Sequence, residues 1–509
     1  MTLEELVGQK LVLGIEGPRV TSEAVTHFRK THAGGLVLFE RNFESTGQLK
    51  RLISDLEGQL GRRLLVLVDH EGGRVLRFKE GVTIFPDPQA LGASGRVEWA
   101  RGQGEIEGEE LRSVGIDVNL APVLDVLSGG WNPAIGTRSY GEDPGLAGLL
   151  GRARIEGMQS KGLSACAKHY PGLGEAERDP HTELPVIRKS LKGLKETHLP
   201  PFLSAFQARV DCVMSSHPAY PEIERDPRRP ATFSRKIIHD LLRLEFGFTG
   251  VALTDDLKMG AVSQSVSLRE GAPLAVRAGH DLLLVCSDPK AQEEAFEALL
   301  WAFKKKELSL KELEESVERI GRLKEKRKVR FASPTVTNRG KGLAREIARG
   351  GTRVLRDGGG LLPLSSAWCL KHSVLTLFPD LTGVARERFI EPELLPPSEF
   401  LKKTFSRFGA PPQSIKTFSS DPSEEERLAI GELARGEDLV LFFLWDAHLF
   451  TGARELLKTL QESAKRLVVL LLREPSDLKW VGTKAACLTA YGFRTCQVEA
   501  LIEKLFSPD

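Results

Sequence analysis

Nowhere in this chain do about 18 apolar residues follow one another without a charge, so no transmembrane helix is expected. Charge of one sign is missing too. The 71 lysines and arginines nearly balance the 69 aspartates and glutamates, so there is none of the concentrated positive field that nucleic-acid binding requires. Cysteine is scarce: Cys166, Cys212, Cys286, Cys369, Cys487 and Cys496 are scattered, mostly inside apolar runs, with no CxxC pair. That excludes a disulfide or zinc framework and reads as buried thiols in a reducing compartment, the cytoplasm. The opening MTLEELVGQKLVLGIEG lacks the basic start and unbroken apolar core of a secretory signal. No GxGxxG or GxxxxGK[ST] spacing occurs. Gly358-Gly-Gly360 reads as a turn before Leu361-Leu-Pro363 rather than a phosphate cradle. No cofactor and no metal are therefore expected, and neither nucleic acid nor membrane is expected as a partner. The oligomeric state is left open.

What is present is an ordinary balance of 41% hydrophobic and 28% charged residues over 509 positions, too long for one core, so two domains are expected. Over the first ~330 residues, short apolar runs alternate with segments of helical period. The runs are Lys10–Ile15, Gly35–Phe39, Leu64–Asp69, Asp117–Ala121, Ser164–His169, Cys212–Ser216, Gly250–Thr254 and Asp281–Cys286. Nearly continuous apolar strands are those of a parallel sheet covered on both faces. Eight of them separated by helices point to an α/β fold, a (β/α)8 TIM-type barrel, with an open doubly wound sheet as the alternative. Ser309-Leu-Lys-Glu312 then carries a capping pattern, and Leu310, Leu313, Val317 and Ile320 form an apolar helical stripe. The basic run Lys324–Arg330 reads as a solvated helix end, closing a catalytic domain at 1–330. FASPTVTNRG, 331–340, reads as a linker. Residues 341–509 form a second, smaller α/β sandwich domain. Its expected strands are Thr352–Leu355, Ser373–Phe378, Leu439–Trp445 and Leu467–Leu472. Its expected helices are Lys341–Ala348, Glu424–Ala434, Arg454–Ala464 and Gln497–Phe506.

Chemistry in a parallel barrel gathers at the carboxyl ends of the strands. Strand three ends in Asp69-His-Glu-Gly-Gly-Arg74, followed by Arg77; strand five in Lys168-His169; strand six in Ser216-His217; strand seven in Thr254-Asp255-Asp256. Such repetition is poorly explained by chance. The loop after strand five, YPGLGEAERDPHTELP, holds Asp179 and His181. An Asp two residues from a His can form a dyad, the carboxylate orienting the imidazole and raising its basicity for acid/base work. Two exposed polar loop residues are the bland alternative. Asp255 is a candidate nucleophile, since a carboxylate can attack an anomeric carbon; the competing reading for Asp255-Asp256 is helix capping.

These motifs together resemble family 3 glycoside hydrolases, in particular the bacterial β-N-acetylglucosaminidases of peptidoglycan recycling. The resemblance is carried by GQKLVLGIEG, by GGLVLFERN at Gly34–Asn42 and by DHEGGRVLRF at Asp69–Phe78. GIDVNLAPVLDV at Gly115–Val126, IGTRSYGEDP at Ile135–Pro144 and KHYPGLGEAERDPH at Lys168–His181 continue it. PATFS at Pro230–Ser234 and LLRLEFGFTGVALTDDLKMGAV at Leu241–Val262 complete the first part. Ala344–Leu364 and Leu488–Phe506 are similar to the family's second domain. The resemblance implies Asp255 as nucleophile, His181 as acid/base and Asp179 as its partner. It implies Asp69, Arg77, Arg138, Lys168 and His169 as substrate-binding residues, able to make charge-assisted hydrogen bonds to sugar hydroxyls. The implied activity is retaining hydrolysis of terminal β-linked N-acetylglucosamine, with muropeptide fragments as substrates. A phosphorylase, a β-glucosidase of the same family and a non-catalytic sugar-binding protein are the alternatives. The chain departs from the pattern at Leu173, where a His is usual, at His70, where a Gln is usual, and at Pro180, where a Ser is common.

Overall fold

The computed structural model describes residues 1–326, 338–381, 398–411 and 413–507. Most of the expected linker 331–340, and the end of the basic run Lys324–Arg330, lie outside the described residues. The chain divides into two compact units, the first comprising 1–71, 75–83 and 96–340, the second 72–74, 84–95 and 341–509.

In the first unit the eight expected runs become eight parallel strands: β1 (Leu11–Leu13), β2 (Gly35–Leu38), β3 (Leu65–Val68), β4 (Val118–Asn119), β5 (Ser164–Tyr170), β6 (Cys212–Ser215), β7 (Val251–Asp256) and β8 (Leu282–Val285). They pair in chain order, and β8 returns to β1 through Leu11↔Leu283 and Val12↔Leu284, closing the barrel. Closure rules out the open doubly wound sheet. The apolar runs are continuous because both strand faces are covered. One set of alternating residues, including Val12, Val37, Leu67, Val118, Cys212, Leu253 and Leu284, packs together at 7% exposure or less. Burying each such side chain contributes roughly 1.5–3 kcal/mol. The helix Leu310–Glu325 begins where expected, with Ser309 Oγ accepting the Glu312 N–H at 3.3 Å. Leu313 and Ile320 are buried, but Leu310, in the first turn, is 51% exposed and stands outside the stripe.

Two register irregularities fall between Ala167 and Tyr170 at the β5–β6 pairing and between Leu253 and Asp256 at the β7–β8 pairing. Irregular pairing re-aims side chains at a strand end. Here it coincides with Lys168-His169 and with Asp255.

The second unit contains a six-stranded sheet: β9 (Arg353–Asp357), β10 (Val374–Asp380), β11 (Ser414–Ser419), β12 (Leu439–Leu444), β13 (Leu467–Leu471) and β14 (Ala486–Thr489). Its order is β11-β10-β12-β13-β14-β9, parallel except for β9 against β14. Leu439, Leu441 and Phe443 enter one core with the helices Ser398–Arg407 and Thr495–Phe506. Val440, Phe442 and Leu444 enter the other with the helices Glu424–Gly436 and Thr451–Ser463. A sheet with cores on both faces is the expected α/β sandwich. β11 and β14 were not among the expected strands. SIKTFS is an edge strand with most side chains exposed or half-exposed, and ACLT is only four residues long, so neither has the long apolar signature of its neighbours. The helix Ser398–Arg407 was missed as well. Gly360, φ +58°, closes the turn before Leu361 as expected. Five of the six cysteines are buried.

Candidate active site

β3, β5 and the turn at Gly136–Arg138 bring a charged lattice together at the carboxyl ends of the barrel strands. Lys168 Nζ lies 2.6 Å from both Asp69 Oδ1 and Glu71 Oε1. Arg138 grips Glu71 bidentately, Nε to Oε2 at 2.8 Å and Nη2 to Oε1 at 2.7 Å. Arg77 Nη2 stands 3.8 Å from Asp69 Oδ2. Burial pushes the Glu71 carboxyl up, but the adjacent Arg138 and Lys168 charges outweigh it and hold it well below the usual range. Burial likewise lowers Lys168, and the Asp69 and Glu71 carboxylates reverse the sign. Asp69 keeps 19% of its side chain exposed.

His169 is oriented from behind. Its Nδ1 donates to Asp125 Oδ2 at 2.7 Å, leaving Nε2 facing Arg138 Nη2 at 3.5 Å. The other oxygen of Asp125 accepts the Leu173 N–H at 2.6 Å, and the Leu173 carbonyl accepts from Asn132 at 2.8 Å. The buried Leu173 thus pins the YPGLGE turn through its backbone. His70 is equally structural: it is buried, stacked on Phe78 at 5.6 Å and bonded to Asn119 through its backbone.

β7 delivers Asp255 and Asp256 where its burial ends. Neither caps the short helix Gly260–Ser263, whose N-cap is Met259; Asp256 Oδ1 instead accepts the N–H groups of Lys258 and Cys286 at 3.1 and 3.3 Å. Among the described residues, Asp255 Oδ1 accepts the N–H of its neighbour, at 2.8 Å. Desolvation raises the Asp255 carboxyl, but His169, His217, His181 and Lys168 prevail and hold it below its ordinary value. The buried His217, itself held low by desolvation, donates Nε2–H to the Asp256 carbonyl at 3.1 Å and shares a 2.7 Å bond with Thr232 through Nδ1.

On the β5 loop, His181 Nδ1 meets Asp179 Oδ1 at 2.6 Å, and the same oxygen accepts the His181 N–H at 2.9 Å. The hydrogen bond to Asp179 raises the imidazole above its ordinary value against partial desolvation. Burial raises the Asp179 carboxyl, and the His181 bonds overcome that and lower it. Asp255 and Arg138 both act on His181 through their fields, and 59% of its side chain is exposed, so it opens to solvent.

Of the site residues expected from the sequence, Asp69, Arg77, Arg138, Lys168 and His169 meet in one charged assembly, and Asp255 and the Asp179/His181 dyad act on one another and on it through their fields. Glu71, Asp125 and His217 were not named as site residues, although Glu71 and Asp125 lie inside quoted motifs. Their signal was a carboxylate at a strand end; their role depends on partners 44 to 97 residues away. Among the described residues, the His and carboxylate group compact enough for a metal is Asp446, His448 and Asp477 in the second unit, within 4.8 Å. Arg473 already occupies Asp446 Oδ2, so a cation would have to displace a guanidinium. Cavities of about 560, 430 and 230 Å³ are lined by Trp301 and Arg277, by Asp211 and Arg322, and by Lys10 and His280. None of these is lined by the strand-end residues.

Comparison with known proteins points the same way. Residues 2–323 match the model of the glycosyl hydrolase family 3 N-terminal domain. A beta-hexosaminidase of Hydrogenovibrio crunogenus is 34% identical over 310 residues, 59% of this chain and 86% of that protein. One of Bordetella avium is 35% identical over 296 residues, 57% of this chain and 83% of that protein. The structure of a family 3 beta-N-acetylglucosaminidase from Paenibacillus sp. str. FPU-7 superposes with a TM-score of 0.92 at 32% identity, covering 99% of this chain and 97% of that one.

Proposed function

Because the chain belongs to glycosyl hydrolase family 3 and is a glycosidase, we propose that it hydrolyses terminal β-linked N-acetylglucosamine with retention, on substrates derived from peptidoglycan. The observation that carries the mechanism is a pair of opposite pKa displacements. The hydrogen bond to Asp179 raises His181, which favours its imidazolium; the surrounding histidines and Lys168 lower Asp255, which favours its carboxylate. Environments that push two titratable groups apart assign acid and nucleophile.

His181, as imidazolium, protonates the glycosidic oxygen while Asp255 attacks the anomeric carbon, passing through an oxocarbenium-like transition state to a glycosyl-enzyme. The aglycone leaves with the proton. Neutral His181 then takes a proton from water, whose oxygen attacks the same carbon from the opposite face and frees Asp255. Asp179 stabilises the imidazolium and fixes its tautomer. Asp69, Lys168, Arg138, Arg77 and His169 offer charged and polar groups to the sugar hydroxyls, with Glu71 and Asp125 holding them in place.

Incubation with nitrophenyl N-acetylglucosaminide, with and without phosphate, tests the reading. The expected first product is free β-anomeric N-acetylglucosamine in both buffers. Sugar 1-phosphate, an α-anomeric first product or faster turnover of nitrophenyl glucoside would overturn it.

A further inference from the structure

The loop carrying Asp179 and His181 is tied down at two places, and neither tie uses the side chains of the dyad. At its root, Glu175 accepts the Ser128 hydroxyl at 2.6 Å, lies 3.5 Å from His198 Nε2 and pairs with Lys189. The Glu175–Lys189 pair draws together two residues 14 positions apart. At its tip, three successive backbone carbonyls accept hydrogen bonds from one short segment. Ala261 N–H reaches Pro180 O and Gly260 N–H reaches His181 O, both at 3.0 Å, and Gln264 Nε2 reaches Thr182 O at 2.6 Å.

That segment is the continuation of β7, the strand that ends in Asp255 and Asp256. Gly260 and Ala261 open the short helix Gly260–Ser263, and N–H groups in a first helical turn have no partner within their own helix. The loop carbonyls fill that need. A side chain at position 260 is excluded, since its Cβ would fall 2.7 Å from both His181 O and Thr182 O. At the tip Pro180 is buried, whereas Asp179, His181 and Thr182 are half-exposed or exposed. Beyond Pro180, directional hydrogen bonds do the holding.

We propose that the Gly260–Gln264 segment is a latch that sets the acid/base loop at its working distance from the nucleophile, with Gln264 a positioning residue acting through Thr182 and His181. The inference rests on the reading of His181 as acid/base. It makes the separation of acid and nucleophile a property of one stretch of backbone, residues 255–264.

The test uses the full chain and these variants: Gln264→Leu, which keeps the size and loses the donor; Gln264→Lys, which restores a donor; His181→Ala; the double variant His181→Ala with Gln264→Leu; and Gly260→Ala. Each is assayed on N-acetylglucosaminides with aglycones of high and low pKa. Gln264→Leu should lower kcat roughly three- to tenfold on the poor leaving group, the worth of one hydrogen bond, with KM and the activated aryl substrate unchanged. Gln264→Lys should recover most of the loss. In the His181→Ala background, Gln264→Leu should add nothing, as two residues acting through one group are non-additive. Gly260→Ala should show the same leaving-group signature with a larger loss, provided its melting temperature is retained. Equal losses on both substrates, no loss, or full additivity with His181→Ala would overturn the latch. If His181→Ala itself shows no leaving-group dependence, the acid/base reading has failed and takes the latch with it. If His181→Ala shows that dependence and Gln264→Leu does not, the latch alone falls.

Discussion

Both units of this protein collect buried charge just past the carboxyl ends of parallel strands, and they treat it in opposite ways. In the barrel, Glu71 sits between two cations, and Asp255 lies among three histidines and a lysine; both carboxyls are held below their ordinary values. In the second unit, Asp446 and Glu474, 1% and 5% exposed after β12 and β13, share Arg473, and burial raises both. A buried strand-end carboxyl is thus held in its ionised form when enough opposite charge offsets the cost of burying it. Without that excess, the same placement raises the carboxyl.

The largest expected effect lies at the barrel's strand end. Asp255→Ala should cut kcat on nitrophenyl N-acetylglucosaminide by roughly 10⁴-fold or more; turnover near wild type, with contamination excluded, would erase the contrast between the units. His181→Ala should cost about 10²–10⁴-fold on substrates with poor leaving groups and far less on activated ones. Glu71→Gln should destabilise the barrel by about 3–5 kcal/mol, because Arg138 and Lys168 are left buried without their shared carboxylate; thermal unfolding reads this directly.

The pH profile sharpens the comparison. Asp255 is lowered, so activity should persist down to pH 3.8 as far as this group controls it and fall below. His181 is raised, so the alkaline limb should lie above pH 6.5. Asp179→Asn removes the principal cause of the His181 shift and should move that limb to lower pH in kcat/KM.

The smallest effect is in stability. Carboxyls with raised folded values, such as Asp446, bind more protons folded than unfolded above pH 3.8, so their contribution is lost as pH rises through the folded value. Glu71 behaves oppositely, contributing above pH 4.5 and losing its contribution as pH falls. Asp446→Asn should therefore flatten the dependence of the melting temperature on pH just above 3.8, by roughly 2–4 °C across that range. An unchanged slope would remove Asp446 from the comparison.

By itself the sequence determined the two-layered alternation of strand and helix, because a run such as LLVLVDHEGG or GVALTDD states both a doubly buried strand and the point at which burial stops. It also named Asp255 and the Asp179/His181 pair, whose two-residue spacing is local enough to form one hydrogen bond without help from the rest of the chain. It did not reveal β11, whose mixed polar character belongs to an edge, nor Glu71 and Asp125, which look like any other strand-end carboxylates. Only the tertiary structure decided that β8 returns to β1 and closes the barrel. It also decided that Glu71 joins Arg138 to Lys168, and that the carbonyls of Pro180, His181 and Thr182 rest on the segment after β7. The physical reason is range. Periodicity and capping are set by neighbours a few residues away, whereas a buried charge takes its meaning from partners that only folding brings within 3 Å.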